Sequence, residues 1–388
     1  MKVTNIETHL VGLYTFVRVM TDEDLYGIGE VHPASGTGGT PFTARAAIDY
    51  CAEYLVGKDP AEIERHWQHM FRRCLFRGGS DAMAAIGGID MALWDIAGKV
   101  TGLPVHRLLG GPTRDRVRVY VGPHSVHNDR ETPEALAENC RARVEEGYTA
   151  VRFYPFGPFG ESIVPSYQSL VRTSVSFVEA AREAVGPDVD VMIDVVNRLT
   201  PPEAIAIGRA LEPYGLFFFE DPIEPDNIDA MAHVAANMPV PVATGERLYT
   251  IYQFRELFNK NAAAYARPDP SLVGGITPTK KIAALAEASY VGVVPHNPLS
   301  PVLTAVCVQI CAATHNIAIQ EYSGHEHEHE GMKRDIVDEP LAIKDGHLEI
   351  PDRPGLGIDL NIEAFKHYPP TSWKRQVLRT SDGALRDY

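Results

Sequence analysis

Six apolar segments in the second half of this chain each end on a residue type that carries chemistry: Asp194, Glu220, Glu246, Asp269, His296 and Glu321. The intervals between them are 26, 26, 23, 27 and 25 residues, the length of one strand–helix unit. "VDVMIDV" and "LFFFED" read as strands buried on both faces, because their apolar runs barely alternate. With "RVRVYVG", "TAVRFY", "PVATGE", "AAYARPD", "VGVVPH" and "NIAIQE" they make eight strands. Helical patterns such as "PEALAENCRARVEEG", "TSVSFVEAAREAVG" and "PTKKIAALAEASYVG" lie between them. Eight such repeats predict an α/β fold, a (β/α)8 barrel of the TIM-like type. No GxGxxG follows a first strand, so dinucleotide binding has no support.

The organisation expected along the chain is threefold. Residues 1–115 read as an α+β capping module: three short strands joined by tight turns, then three helical stretches ending at "TGLP". Residues 116–325 form the barrel, and residues 326–388 form a loop and return segment on the cap. The stretch 32–43, rich in Gly, Ser, Thr and Pro, is expected to be a mobile loop over the barrel mouth. The formal charge of −15 argues against nucleic acid or an anionic membrane as partner. A small anionic substrate is compatible with it, because local arginines or a metal can override the global field. No signal peptide or transmembrane run is evident, and the five cysteines form no CxxC pair, which suits the cytoplasm. Cys307 and Cys311 read as buried core thiols.

In a barrel of this kind, polar groups at the C-terminal strand ends converge on one mouth. One strand-end carboxylate can be a helix cap; six polar ends in register are hard to explain that way. Carboxylates that converge without a cation raise one another's pKa. Asp194, Glu220 and Glu246 come from adjacent strands and offer only oxygen, which suits Mg²⁺ better than zinc. Asp269 and His296 end neighbouring strands, so the carboxylate can orient the imidazole as a general base. Such a set suggests removal of a proton next to a carboxylate.

The motifs "AAIGGIDMALWDIAGKVTGLPVHRLLGG", "MIDVVNR", "FFEDP", "ATGER", "RPDPSLVGGIT", "VVPHNPLSP", "IQEYS" and "RPGLGIDLN" resemble the enolase superfamily in its mandelate racemase-like branch. The likeness spans nearly the whole chain and is strongest to galactonate, gluconate and mannonate dehydratases. A Lys or His base acting with Mg²⁺ is the known scheme of that superfamily rather than something these residues establish alone. The resemblance implies Asp194, Glu220 and Glu246 as Mg²⁺ ligands and His296 with Asp269 as a catalytic dyad. It also implies Glu321 hydrogen-bonding the bound acid, and a homo-oligomer between dimer and octamer. The implied reaction removes water from an aldonic acid to give a 2-keto-3-deoxy acid.

The pattern departs from the family in two places. Many relatives carry Lys-x-Lys at the end of the second strand, where this chain has Arg152-Phe153-Tyr154. Arg152 cannot usefully deprotonate, but it can bind substrate or tune a neighbouring phenol; Tyr154 is a candidate base or substrate contact. The family's dehydratases place a histidine two residues after the first metal ligand, and here that position is Val196. Three readings stay open: His296 acts twice, Tyr154 or Tyr167 replaces the missing acid, or the substrate differs. A racemase or epimerase and a non-catalytic metal-dependent binding protein are the alternatives to a dehydratase. "GHEHEHEG", residues 324–331, reads as a solvated rim loop whose histidines hold a metal only adventitiously.

Overall fold

The computed structural model describes residues 1–33, 41–74, 77, 79–122, 132–156, 163–323, 332–371 and 377–386. The GHEHEHEG tract and most of the Gly-rich stretch after His32 lie outside them.

The chain opens with a meander, β1 (Val3–Val11), β2 (Tyr14–Thr21) and β3 (Tyr26–Val31), paired antiparallel in that order. Helices α1 (Pro41–Leu55), α2 (Ile63–Arg73) and α3 (Gly79–Thr101) follow. The "GIG" of β3 has a steric cause. A Cβ at Gly27 would lie 1.9 Å from the Ala92 carbonyl oxygen, and one at Gly29 would lie 2.0 Å from that of Gly88. Only glycine lets α3 lie this close to the strand. The far side of α3 rests on the barrel, where Trp94 Nε1 donates to Thr277 Oγ1 at 2.9 Å and the Thr277 N–H donates to Asp90 at 3.0 Å.

A four-residue helix, α4 (Val105–Leu108), leads into the barrel. Its units are β4 (Arg116–Val121) with α5 (Pro133–Glu145), β5 (Ala150–Phe153) with α6 (Tyr167–Val185), and β6 (Asp190–Asp194) with α7 (Pro201–Leu211). Next come β7 (Phe218–Glu220) with α8 (Ile228–Asn237) and β8 (Val242–Thr244) with α9 (Ile251–Asn259). The last units are β9 (Tyr265–Ala266) with α10 (Ile276–Ala288), β10 (Gly292–Val293) with α11 (Pro301–Ala312), and β11 (Gln320–Tyr322). Consecutive strands pair parallel from β4 to β10, and β11 pairs with β4. A bridge between Val293 and Ile317 joins the remaining seam. Among the described residues these eight strands therefore close, as the sequence period predicts.

The interior is packed rather than hollow. Tyr120, Ala150, Met192, Phe218, Ala243, Val294 and Ile319 fill it, all nearly inaccessible. Strand alternation then places Asp194 two residues above Met192 and Glu220 two above Phe218 on the same inward face. β9 and β10 are shorter than their apolar runs suggest, because Pro268 and Pro295 have no N–H to continue a ladder. Asp269 and His296 consequently stand in the loops just past their strands, tied together by the His296 N–H donating to the Pro268 carbonyl at 3.1 Å. Helix α6 starts at Tyr167, several residues before the pattern in the sequence suggests. Cys307 and Cys311 are buried in α11 as expected.

After the barrel, β12 (Ile343–Lys344) and β13 (His347–Glu349) form a hairpin, and β13 pairs antiparallel with the lower half of β4. The chain then returns to its own beginning. The Leu356 N–H donates to Asp95 Oδ1 at 2.8 Å, and Gly12 exchanges backbone hydrogen bonds with Tyr368 (3.0 Å) and Thr371 (2.7 Å). No helix among the described residues is long and apolar enough to cross a membrane.

Candidate active site

At the C-terminal mouth of the barrel the strand-end groups do converge, and two arginines stand among them. Arg152, on β5, donates through Nη1 to Asp194 and to Glu220 (3.4 Å), and through Nη2 to Glu321 (3.0 Å). Arg267, just after β9 and fully buried, reaches Glu220 at 2.7 Å, Glu321 at 2.8 Å and the Tyr120 hydroxyl at 2.6 Å. Burial first, and then neighbouring carboxylates (Glu246 for Asp194, Asp194 and Glu321 for Glu220), pushes these two carboxyls upward, Glu220 well above the usual range, against the pull of the guanidiniums. Glu321 goes the other way: burial is outweighed by Arg267, Arg152 and His296, so it stays ionised. Its oxygens accept from both arginines and, at 2.9 Å, from the Asn297 N–H.

Asp269 Oδ2 lies 2.8 Å from His296 Nδ1, which fixes the ring and leaves Nε2 pointing at Glu246, 3.2 Å away. Burial works to lower the His296 pKa, but Glu246, Glu321 and Asp269 together raise it to about 9. Asp269 is held below the usual range despite its burial, by His32, His296 and Ser271. Glu246 is likewise lowered, burial notwithstanding, by His296, Arg267 and Arg247.

The donor set suits a hard cation. Asp194, Glu220 and Glu246 offer only oxygens from adjacent strand ends, and Glu220 Oε2 is buried with no hydrogen-bond partner among the described residues. That orphaned lone pair and the raised pKa values of Asp194 and Glu220 mark a pair with too little positive charge around it. Arg152 now supplies part of it, partnering Asp194 and Glu220 at once. One group of three among the described residues has donor atoms all within 4.8 Å of one another, and it is a different one: His32, Asp269 and His296.

The turn after β6 is strained. Val196 and Asn197 have φ of 53° and 61°, a region where a β-branched residue is an outlier. The turn is pinned by the Val196 N–H donating to Asp194 Oδ1 at 2.8 Å and the Asn197 N–H donating to the Asp221 carbonyl at 2.8 Å. Asp221 is itself buried, accepts from Thr244 Oγ1 at 2.5 Å, and is pushed up to about 7 by burial, Glu246 and Asp194. The strain is thus spent on aiming Asp194.

Tyr154 follows β5, and the guanidinium that engages its hydroxyl is that of Arg198, at 2.6 Å. The sequence offered Arg152 as a partner for a phenol; in the structure Arg152 serves the carboxylates. Tyr167 opens α6 and is 43% exposed, a solvent-facing place for a residue considered as an acid.

Sequence models of known families match on both parts of this architecture. Residues 2–110 match the mandelate racemase / muconate lactonizing enzyme N-terminal domain, and residues 135–364 match the enolase C-terminal domain-like family. The chain belongs to the mandelate racemase branch of the enolase superfamily. D-galactonate dehydratases from Variovorax paradoxus and Xanthomonas campestris pv. campestris are each 36% identical to this superfamily member, over 100% of both chains. An enolase from Agrobacterium radiobacter, solved with Na and L-malate bound, superposes with a TM-score of 0.90 at 32% identity over 100% of both chains. The 3,6-anhydro-D-galactonate cycloisomerase from Zobellia galactanivorans gives 0.84 at 29% identity, over 95% of this chain and 99% of that one.

Reading the sequence alone missed Arg267, Tyr120 and His32. The excess of strand-end carboxylates was the signal for Arg267, since such a cluster needs cations beyond one metal ion.

Proposed function

We propose that this enolase-superfamily chain is a Mg²⁺-dependent acid-sugar dehydratase, taking a small anionic aldonate of the galactonate or gluconate kind. The observation that carries this is the Asp269–His296 pair, whose Nε2 faces the carboxylate cluster, 3.2 Å from Glu246. The full-length likeness to D-galactonate dehydratases and the 2-hydroxy acid held by the Agrobacterium neighbour support the substrate class.

Asp194, Glu220 and Glu246 would hold the ion. When bound, it supplies the positive charge that makes the proton beside a substrate carboxylate removable. Every other step belongs to the chain. Asp269 keeps one His296 proton on Nδ1, so Nε2 is the atom that accepts the α-proton once the carboxylate charge that raises the ring to about 9, that of Glu246 foremost, is neutralised. The same imidazolium then returns that proton to the departing 3-hydroxyl, since valine at position 196 can transfer none. Glu321, fixed by Arg267 and the Asn297 N–H, holds Arg152 in place at the mouth.

A second reading of the acid is favoured by one contact, the Arg198–Tyr154 hydrogen bond, which sets a cation on the phenol oxygen. Racemisation is less well supported, because Arg152 is committed to three carboxylates where a second base would stand.

The test is His296→Asn in the Mg²⁺-loaded chain, with formation of 2-keto acid followed across a panel of sugar acids. Wild type should release keto acid from at least one member in a chelator-sensitive reaction, and the variant should not. Turnover that survives His296→Asn removes His296 as the base. Exchange of the α-proton in deuterated water without keto acid would make the enzyme an epimerase.

A further inference from the structure

Asp269 is anchored by one oxygen and presents the other. Its Oδ1 accepts from the Ser271 N–H at 2.7 Å and the Ser271 hydroxyl at 2.5 Å. Oδ2 faces two imidazole nitrogens, His296 Nδ1 at 2.8 Å and His32 Nε2 at 3.5 Å. The two rings lie nearly parallel, 26° apart in plane with centroids separated by 6.4 Å. His32 comes from the end of the capping meander, and Asp269 and His296 come from the barrel. The three meet at the junction of cap and barrel, with side-chain exposures of 13%, 0% and 11%.

We propose that His32, Asp269 and His296 form a site for a divalent transition metal of the zinc class, separate from the three-carboxylate site, and that a metal bound there shuts off the base. Two imidazole nitrogens and one carboxylate oxygen are a donor set for zinc and a poor one for Mg²⁺. With bonds of about 2.0–2.1 Å, two ligands on a tetrahedral ion stand about 3.3 Å apart. The 3.5 Å separation already meets that requirement, and the 2.8 Å pair must open by only about half an ångström. The Ser271 bonds hold Asp269 from behind, so its position does not depend on either histidine. Water from the mouth completes the coordination.

The consequence for His296 follows from its proton count. The ion takes Nδ1 in place of the N–H···O bond to Asp269. The neutral ring keeps one proton, which now sits on Nε2, the atom facing Glu246. A ring in that state has no lone pair with which to accept a substrate proton. The site itself does not depend on the proposed function; the shut-off rests on His296 being the base.

Cobalt(II) is the probe, added to the full-length chain in excess Mg²⁺ and read by visible absorption. One equivalent should give the strong bands of a low-coordinate, nitrogen-containing site, in wild type and in Asp194→Asn alike. His32→Gln should lose them, His32→Cys should restore an intense, shifted band, and added Zn²⁺ should bleach all of these. Circular dichroism shows that each variant is folded. Bands that survive His32→Gln, or that vanish in Asp194→Asn and persist in His32→Gln, overturn the site. Turnover is read separately. Zn²⁺ should inhibit wild type in excess Mg²⁺, and inhibit His32→Gln at least tenfold less strongly relative to that variant's own uninhibited rate. Cobalt bands without zinc inhibition overturn the shut-off. A chain that turns over no sugar acid still reports the site through cobalt, so failure of the functional reading is distinguishable from failure of the site.

Discussion

Arg198 Nη1 donates to the Tyr154 hydroxyl at 2.6 Å, and its guanidinium carbon lies 5.0 Å from the centre of the same ring. A fixed cation on a phenol oxygen favours loss of the phenol proton. If His296 alone handles both proton transfers, Tyr154→Phe should lower kcat by less than tenfold. A fall of about a hundredfold or more, the scale of general acid catalysis, with α-proton exchange intact, would transfer the acid role to Tyr154. Keto-acid formation and deuterium incorporation measured on one sample decide between them.

Asp269→Asn should leave the fold intact and lower kcat by about 10²–10⁴. An amide cannot match the charge that favours the proton on Nδ1, and its NH₂ can turn toward the ring. Steady-state kinetics beside a melting curve check this, with a large loss of activity expected at near-unchanged Tm.

Asp95 ties three parts of the chain together. It is fully buried, bonds Lys99 at 2.7 Å and accepts the N–H of Ile28 at 3.0 Å and of Leu356 at 2.8 Å. Asp95→Ala leaves two buried backbone donors without their partner and leaves the Lys99 ammonium with only the Tyr26 carbonyl at 3.1 Å and Asp359 at 3.6 Å. The expected loss is about 3–5 kcal/mol, read as a lower denaturant midpoint.

Glu30 bridges cap and barrel at the start of α11, accepting from Ser300 Oγ at 2.6 Å and from the Leu303 N–H at 3.0 Å. Burial nevertheless raises its pKa from 4.5 to about 8, and burial raises that of Asp90 from 3.8 to about 7. The folded chain therefore holds protons that the unfolded chain has released. That contribution is fully present below the unfolded values and is lost as pH rises toward 7–8. Glu30→Gln should be least favourable relative to wild type near pH 4 and gain steadily up to pH 8. Equilibrium unfolding at several pH values measures the trend.

Val196 is held at a φ of 53°, which costs a β-branched residue on the order of 1–2 kcal/mol. Asn tolerates this region better. Val196→Asn is expected to raise stability by about 1 kcal/mol, seen as a higher Tm.

The barrel was legible in the sequence because each buried parallel strand is an apolar run that stops at a polar group, and the helices keep the spacing nearly constant. Asp194 and Glu220 end β6 and β7 as that pattern implies. Strand length was less legible: Pro268 and Pro295 end the ladders before Asp269 and His296. Arg267 could not be placed from its neighbours, since "ARPD" does not say that a guanidinium turns inward beneath the carboxylates. His32 sits beside a Gly-rich stretch that suggested only a loop, and its partner Asp269 is 237 residues away by the numbering. The first turn of α6 was less legible, since "SYQSLVRT" is mostly polar and carries no capping box ahead of the apolar run.

The return of the chain to Gly12 and Asp95 also orders events during synthesis. The meander and α3 leave the ribosome before the barrel, yet the backbone donors of Leu356 and Thr371 and the carbonyl of Tyr368 that complete them come after it, Leu356 standing 261 residues beyond Asp95. Until then Asp95 lacks one of its donors and the Gly12 turn lacks both of its partners. A part made before the barrel is thus finished after it, so a nascent chain that stops before Leu356 carries an incomplete cap whatever the state of its barrel.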